Sequence, residues 1–392
     1  MGILAEPRTA RGSRDGALSG SWRARTLAAQ EVALPSGRVA LSCPAPLGHG
    51  GLGRHLKEIL DALDRRQLPT VCNCATASPP GQGAGGRGLH TRLLDAALSL
   101  PPLRISTAHR TLKASVAFDR QAAARLPAAE HLIAFNGTAL AQMRAARSAA
   151  WQSLALVSAT AHVRQVASQH ALACRQYPLE GTWATRMVKR TLAEYPLADR
   201  IYVASRYVRE SFLAQGVRDE LLADFPLTPD PRYAGDGGAR SSSSAFEIVY
   251  IGTLTVVKGV PLLIDAVRSL PHLDLRLTLV GGWTTRAMRR FLERASSQDP
   301  RIVIARGDPL PHLRGARLYV HPSYSDGFGY AAAEALSCGI PVIVSEDTGM
   351  KDLLGVEGAN GLILPTGDRG ALAGAIDAAY RGEVLGTPRA GA

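Results

Sequence analysis

Apolar residues along this chain fall into short continuous runs separated by stretches in which they recur every three or four positions. Residues 38–43 read as a buried strand, 53–66 place Leu56, Ile59, Leu60 and Leu63 in helical spacing, and 70–75 are strand-like again, which makes a βαβ unit. The alternation continues with strands expected at 131–135, 154–158 and 200–204. It becomes very regular beyond residue 245, with strands at 247–254, 275–280, 301–305, 318–321, 341–344 and 361–364 and helical stretches such as 260–270 and 284–297. Apolar strands alternating with helices imply parallel sheets covered on both faces. The expected fold is therefore α/β, two tandem doubly wound Rossmann-like domains facing a cleft. Ligands of such sheets bind beyond the C-terminal strand ends.

Breaks in the pattern set the expected boundaries. Residues 1–35 lack periodicity and read as a disordered tail; their arginines suit a transit peptide, but Glu6, Asp15 and Glu31 argue against one. An N-terminal domain is expected over 36–226, a linker over 227–244, a C-terminal domain over 245–382 and a frayed tail over 383–392. The Gly- and Pro-dominated stretch 78–88 reads as a flexible surface loop, and the last helix is expected at 369–381. Residues 103–125 mix apolar side chains with Arg104, Arg110, Lys113, Arg120 and Arg125, the pattern either of a basic amphipathic helix on an anionic surface or of an ordinary solvated helix face.

The composition, 46% hydrophobic and 20% charged over 392 residues, is that of a globular protein, and no apolar run is long enough to span a membrane. The net charge of +12 favours a polyanionic neighbour. No nucleic-acid-binding motif accompanies it, so no nucleic-acid partner is expected. The five cysteines, an odd and scattered set, point to a reducing compartment. Cys72 and Cys74 are expected on opposite faces of one strand, out of reach of a common metal.

Candidate chemistry concentrates at 321–342. A strand ends at His321, a loop bearing Gly327, Phe328 and Gly329 follows, and an Ala-rich helix opens near Gly329. Free N–H groups at such a helix start suit phosphate. Asp326 and Glu334 lie eight residues apart, ~12 Å at helical rise. That is wide for a hydrolytic pair and suits two carboxylates holding the sugar and the ribose of one extended ligand. Capping and solvation of a helix start is the plainer alternative. Residues 251–259 form a second strand-loop-helix element containing Gly252, Thr253 and Lys258. Gly48 to Gly53 form a Gly-rich turn after the first strand, which by itself suits a dinucleotide site equally well.

The 326–334 segment resembles the retaining glycosyltransferases of family 4, which have the GT-B fold; the resemblance extends over most of 38–380 and is strongest from 247 onward. It implies that Asp326, where the family has Glu, contacts the donor sugar and Glu334 the nucleotide ribose. Lys258 takes the family's diphosphate-binding lysine position, while Thr253 stands where the family has arginine. Arg306 is a candidate substitute. Gly50 and Gly51 would approach the donor from the acceptor side. His162 stands where the family often keeps a histidine beside the sugar, with His170, Arg175 and Glu180 shaping the acceptor pocket.

The resemblance implies transfer of a sugar from a nucleotide-diphosphate donor to a hydroxyl acceptor, either a glycan, a lipid-linked molecule or a small molecule. His162, Lys258 and Asp326 are the expected catalytic residues. Gly50, Gly51, Gly252, Thr253, Arg306, Gly327, Phe328, Gly329 and Glu334 complete the expected donor site. No metal or cofactor is expected. The expected location is cytoplasmic, with peripheral contact at the inner face of the membrane. The alternative is a non-catalytic sensor that binds a sugar nucleotide.

Overall fold

The computed structural model describes residues 32–74, 87–88, 107–183, 185–234, 245–354 and 360–385. Its first sheet has the strand order β3-β2-β1-β4-β5-β6-β7. The strands are β1 (Val39–Ser42), β2 (Thr70–Cys74), β3 (Arg87–Gly88), β4 (His131–Phe135), β5 (Ser153–Ser158), β6 (Arg200–Val203) and β7 (Leu222–Asp224). The second has the order β10-β9-β8-β11-β12-β13, from β8 (Phe246–Ile251), β9 (Leu275–Val280), β10 (Ile302–Ala305), β11 (Leu318–His321), β12 (Val342–Ser345) and β13 (Gly361–Leu364). Every pairing is parallel. Counted within its own domain, the second sheet runs 3-2-1-4-5-6, the doubly wound order, and the first runs the same way with a seventh strand added at its far edge. The crevice where that order reverses lies between β1 and β4 in one domain and between β8 and β11 in the other.

Helices α1 (Gly50–Arg65), α2 (Thr107–Ala123), α3 (Leu140–Ser148), α4 (Val163–Gln176), α5 (Thr185–Leu192) and α6 (Arg206–Leu213) belong to the first domain. Helices α7 (Val260–Arg268), α8 (Arg286–Gln298), α9 (Leu310–Gly315), α10 (Tyr330–Ser337), α11 (Met350–Leu354) and α12 (Arg369–Tyr380) belong to the second. Side-chain caps fix several starts: Ser205 accepts from the Val208 amide at α6, Thr285 from Met288 at α8 and Asp368 from Ala371 at α12. The central strands β1, β4, β11 and β12 are buried along their whole length, as a sheet covered on both faces requires.

Several expectations are corrected. Cys72 and Cys74 share a face and a core cluster, because side chains two positions apart in a strand return to the same side. The edge strand β7 was not anticipated, being three residues long and ending in an aspartate. Of the expected N-terminal tail, Val32 and Leu34 pack on the core and the Ala33 carbonyl accepts from Tyr202 Oη at 2.8 Å. At the other end, the Leu385 carbonyl accepts from Asn360 at 2.9 Å, and Val384 and Leu385 pack on the core. Residues 1–31 and 386–392, and most of the 78–88 loop, lie outside the described residues.

The two domains share one apolar cluster. It runs from Leu41, Leu56 and Phe135 through Phe225, Leu227 and Tyr233 into Val249, Phe328 and Ala332. The first part of the expected linker is thus packed rather than free, anchored by a 3-10 turn at Pro231–Tyr233, while 235–244 lie outside the described residues. Polar bridges add to the contact: Gln169 donates to Asp347 at 2.8 Å, Tyr177 Oη to Asp265 at 3.0 Å, and the Arg206 amide to Asp352 at 2.6 Å.

The closest approach is backbone to backbone. A Cβ on Gly327 would stand 2.1 Å from the Ala159 carbonyl oxygen across the interface, and one on Gly349 would stand 2.3 Å from the Gly327 carbonyl oxygen and 2.7 Å from Ser205 Oγ. Ser205, which caps α6, also donates to that carbonyl at 2.6 Å. Gly349→Ala is therefore expected to prise the domains apart while leaving each intact. Small-angle scattering should show a larger radius of gyration with unchanged far-ultraviolet circular dichroism; an unchanged radius would mean the contact yields locally.

Candidate functional site

Strand β11 delivers His321 to the C-terminal edge of the second sheet, and the chain then loops through 322–329 before α10 begins. Gly329, at φ 86°, is the left-handed N-cap that turns the chain into the helix. Asp326 is held in this loop by its backbone: its amide donates to the Asp347 carbonyl and its carbonyl accepts from the Gly349 amide, both at 3.0 Å. The carboxylate Oδ2 takes Lys258 Nζ at 2.6 Å and lies 2.9 Å from His321 Nε2. The other oxygen accepts from the Phe328 amide at 3.4 Å. Burial alone would raise the Asp326 carboxyl, but the Lys258 ammonium and His321 outweigh it and hold the group well below the carboxylate range. Asp326 is therefore ionised at neutral pH. The imidazole it meets is stacked against Tyr250 and Tyr319.

One turn into α10, Glu334 is only 2% exposed. Burial raises its carboxyl, and Arg54 opposes that shift by ion-pairing with it from the other domain. The guanidinium also lies 4.2 Å above the Tyr330 ring. Tyr330 Oη donates to Glu58 at 2.7 Å, and the second Glu58 oxygen accepts from the Thr228 amide at 2.9 Å. Arg54 and Glu58 are one turn apart on α1, so a single helix face binds α10 of the opposite domain.

Gly50 and Gly51 begin α1. The helix has no side-chain cap at His49, so its first amides are left for another acceptor, and a Cβ on Gly51 would reach Tyr330 at 3.8 Å. Phe328 is buried edge-to-face against Tyr330. On the loop after β8, Gly252 donates to the Val280 carbonyl at 3.0 Å, and the Thr253 carbonyl accepts from Tyr250 Oη at 3.1 Å, leaving Thr253 exposed. The structure thus brings Lys258, Asp326, Gly327, Phe328, Gly329, Glu334, Gly50 and Gly51 to one cleft. Arg306 follows the outermost strand, β10, and stacks on Trp283 at 4.2 Å, two strands away from the Lys258 loop. His170 and Glu180 are buried 3.8 Å apart, while Arg175 is exposed.

Arg54, Glu58 and Tyr330 carry no expectation from the sequence, and His321 carries one only as the end of a strand. The available signal was that Arg54 directly follows the glycine turn, with Glu58 one helical turn on. Among the described residues no group of three His, Cys, Asp or Glu side chains is placed to hold a metal. Nor is any described helix long and apolar enough to cross a membrane.

Residues 245–381 match the family described as Glycosyl transferases group 1. The O-antigen chain mannosyltransferase B of Escherichia coli is 32% identical over 118 residues, which cover 28% of this chain and 31% of that one. The chain's matches span about a third of the length of such curated relatives. Likeness to solved structures is wider. Sucrose-phosphate synthase from Thermosynechococcus elongatus superposes with a TM-score of 0.64 at 19% identity, over 89% of this chain and 92% of that one. Anabaena HepE in complex with UDP-glucose gives 0.60 at 16% identity, over 89% and 92%. The chain has the GT-B fold of two Rossmann-like domains.

His162 caps α4, its Nδ1 accepting from the Arg164 amide at 3.3 Å, and its ring turns inward onto Tyr195 and Phe212 with centroids 4.9 and 5.1 Å away. Burial, helped by Arg164, lowers its pKa to about 4. An unfolded chain takes up a proton near 6.5, while the folded one does so only near 4. Stability is therefore intact above pH 6.5 and is lost as pH falls through that window, by up to about 3 kcal/mol. Buried His55, lowered to about 3, adds a loss of the same sign. His162→Asn, which keeps a capping side chain, should show a smaller drop in melting temperature between pH 7 and pH 4.5 than the parent; an unchanged drop would assign the dependence to other groups.

Proposed function

We propose that this chain is a retaining glycosyltransferase that moves a sugar from a nucleoside-diphosphate donor to a hydroxyl acceptor. The observation that carries the reading is the Lys258–Asp326 pair at the mouth of α10, with Glu334 one turn further in and Arg54 reaching it across the cleft. A cation for the diphosphate and two carboxylates for the two sugars of the donor are thereby spaced along one crevice. The group 1 match over 245–381 and the UDP-glucose complex of a protein with the same fold support it.

In this mechanism the donor's ribose takes the Glu334 carboxylate. Arg54, released from it, joins Lys258 on the diphosphate, supplying the charge for which Thr253 offers none. Asp326 accepts hydrogen bonds from the sugar. The bond between the anomeric carbon and the phosphate oxygen breaks, with the electron pair leaving on the nucleoside diphosphate. Lys258, Arg54 and the open amides of α1 and α10 stabilise that charge. The acceptor oxygen bonds to the anomeric carbon from the same face, and its proton passes to the departing phosphate oxygen. We assign the positive charge at the phosphates to these side chains and helix ends and none to a metal.

A thermal-shift screen of UDP, GDP and ADP tests the donor site. One nucleotide at 100 times its dissociation constant should add about 2.7 kcal/mol of stability, and Lys258→Ala or Glu334→Ala should abolish the shift. With a turning-over donor, Lys258→Ala should lower kcat about a hundredfold or more, and chelator should leave the parent rate unchanged. An inverted anomer in the product spectrum would refute the retaining assignment. Nucleotide binding without transfer or donor hydrolysis would favour the non-catalytic sensor.

A further inference from the structure

Helices α2 and α5 bound a groove of about 450 Å³ on the first domain. Four cations line it: Lys113 and Arg120 from α2, and Arg186 and Arg190 from α5. Leu112, Val116 and Ala117 form its apolar wall. On α2 these residues fall at spacings of three and four, so they make one stripe facing α5. Arg190 is committed to buried Asp119, which it ion-pairs. Lys113, Arg120 and Arg186 are exposed, and none of the described residues offers them a carboxylate partner.

The groove is tied to the rim that carries the candidate donor site. Asp119 accepts from the Ala141 and Gln142 amides at the start of α3, and Glu194 accepts from the Gly137 and Ala139 amides just after β4. In the same loop Asn136 donates to Ser158 Oγ at 3.0 Å, and that hydroxyl donates to the Thr160 carbonyl at 2.8 Å. Thr160 in turn abuts Gly327 across the interface. The Arg190–Asp119 pair of the groove is thus tied to the start of α3, which follows the loop after β4, and that loop is bonded to the 158–160 turn that the 326–329 loop abuts.

We propose that this groove binds the phosphate or diphosphate of an amphiphilic acceptor, whose apolar chain lies along Leu112, Val116 and Ala117. The acceptor role rests on the glycosyltransferase reading; the binding does not. Three cations with no carboxylate partner among the described residues, set beside an aliphatic wall, complement an anionic headgroup attached to a hydrocarbon chain, whereas a free phosphate would gain nothing from the wall.

Calorimetric titration with octyl diphosphate, kept below its micelle concentration, tests the site, with inorganic pyrophosphate as the chain-free probe. The parent protein should bind octyl diphosphate more tightly than pyrophosphate, and more weakly as salt rises. The exposed triple variant Lys113→Gln, Arg120→Gln, Arg186→Gln should lose about tenfold or more in affinity, and Val116→Ser should erase the preference for the octyl form. A control with the same charge change on the exposed face of α8, Arg286→Gln, Arg290→Gln, Arg294→Gln, should bind as the parent does.

No binding of octyl diphosphate, equal affinity for pyrophosphate, or an equal loss in the α8 control would each overturn the proposal. Nucleotide-induced stabilisation, measured in the same preparations, separates the two readings. Its retention in the groove variant would locate the defect away from the donor site. Its absence from a parent protein that still binds octyl diphosphate would refute the donor reading alone.

Discussion

The arrangement depends on how closely the 326–329 loop can approach the first domain. Gly327 touches the 159–160 backbone with no room for a side chain, and Ser205 grips its carbonyl. Every cross-cleft interaction follows from that distance. Arg54 reaches Glu334, Tyr330 reaches Glu58 and Tyr207 Oη comes within 3.0 Å of Ser325 Oγ because the backbones meet first. Polar side chains then fix a geometry that glycine permits.

Within that geometry the cleft's charges are already mutually satisfied. Asp326, half-buried, holds Lys258, and buried Glu334 holds Arg54, so neither carboxylate bears the cost of an unpaired charge. A ligand entering here exchanges one set of partners for another. Its net affinity is the difference between two well-made sets of contacts, which favours ligands that present a diphosphate and vicinal hydroxyls at the matching spacing and disfavours simple anions.

Much of this was legible in the sequence, and the reasons differ by element. The apolar runs marked the strands because a sheet covered on both faces buries most positions of its central strands. Asp326, Glu334 and Lys258 were legible because glycines and a helix start surround them locally. The network on Glu334 was not: Arg54 and Glu334 are 280 positions apart, and Glu58 and Tyr330 are 272 apart. Only the folded contact between domains joins them. The orientation of His162 depended likewise on Tyr195 and Phe212, more than thirty positions downstream, which draw its ring into the domain interior. Arg306 looked available because it ends a strand, but the sheet order, invisible in a linear pattern, puts that strand at the edge.

The shared apolar cluster has a bearing on how such a chain is divided. The family match covers 245–381 alone, as though that stretch were a module. Yet Val249, Phe328, Ala332 and Met350 bury themselves in the same cluster as Leu56, Phe135 and Phe225. Cutting the chain at 244 would strip one side of that cluster and leave a sticky surface in its place. The second domain has a core of its own around Ile248, Leu277 and Val320, but the apolar face that carries Val249, Phe328 and Ala332 is covered only in the company of the first.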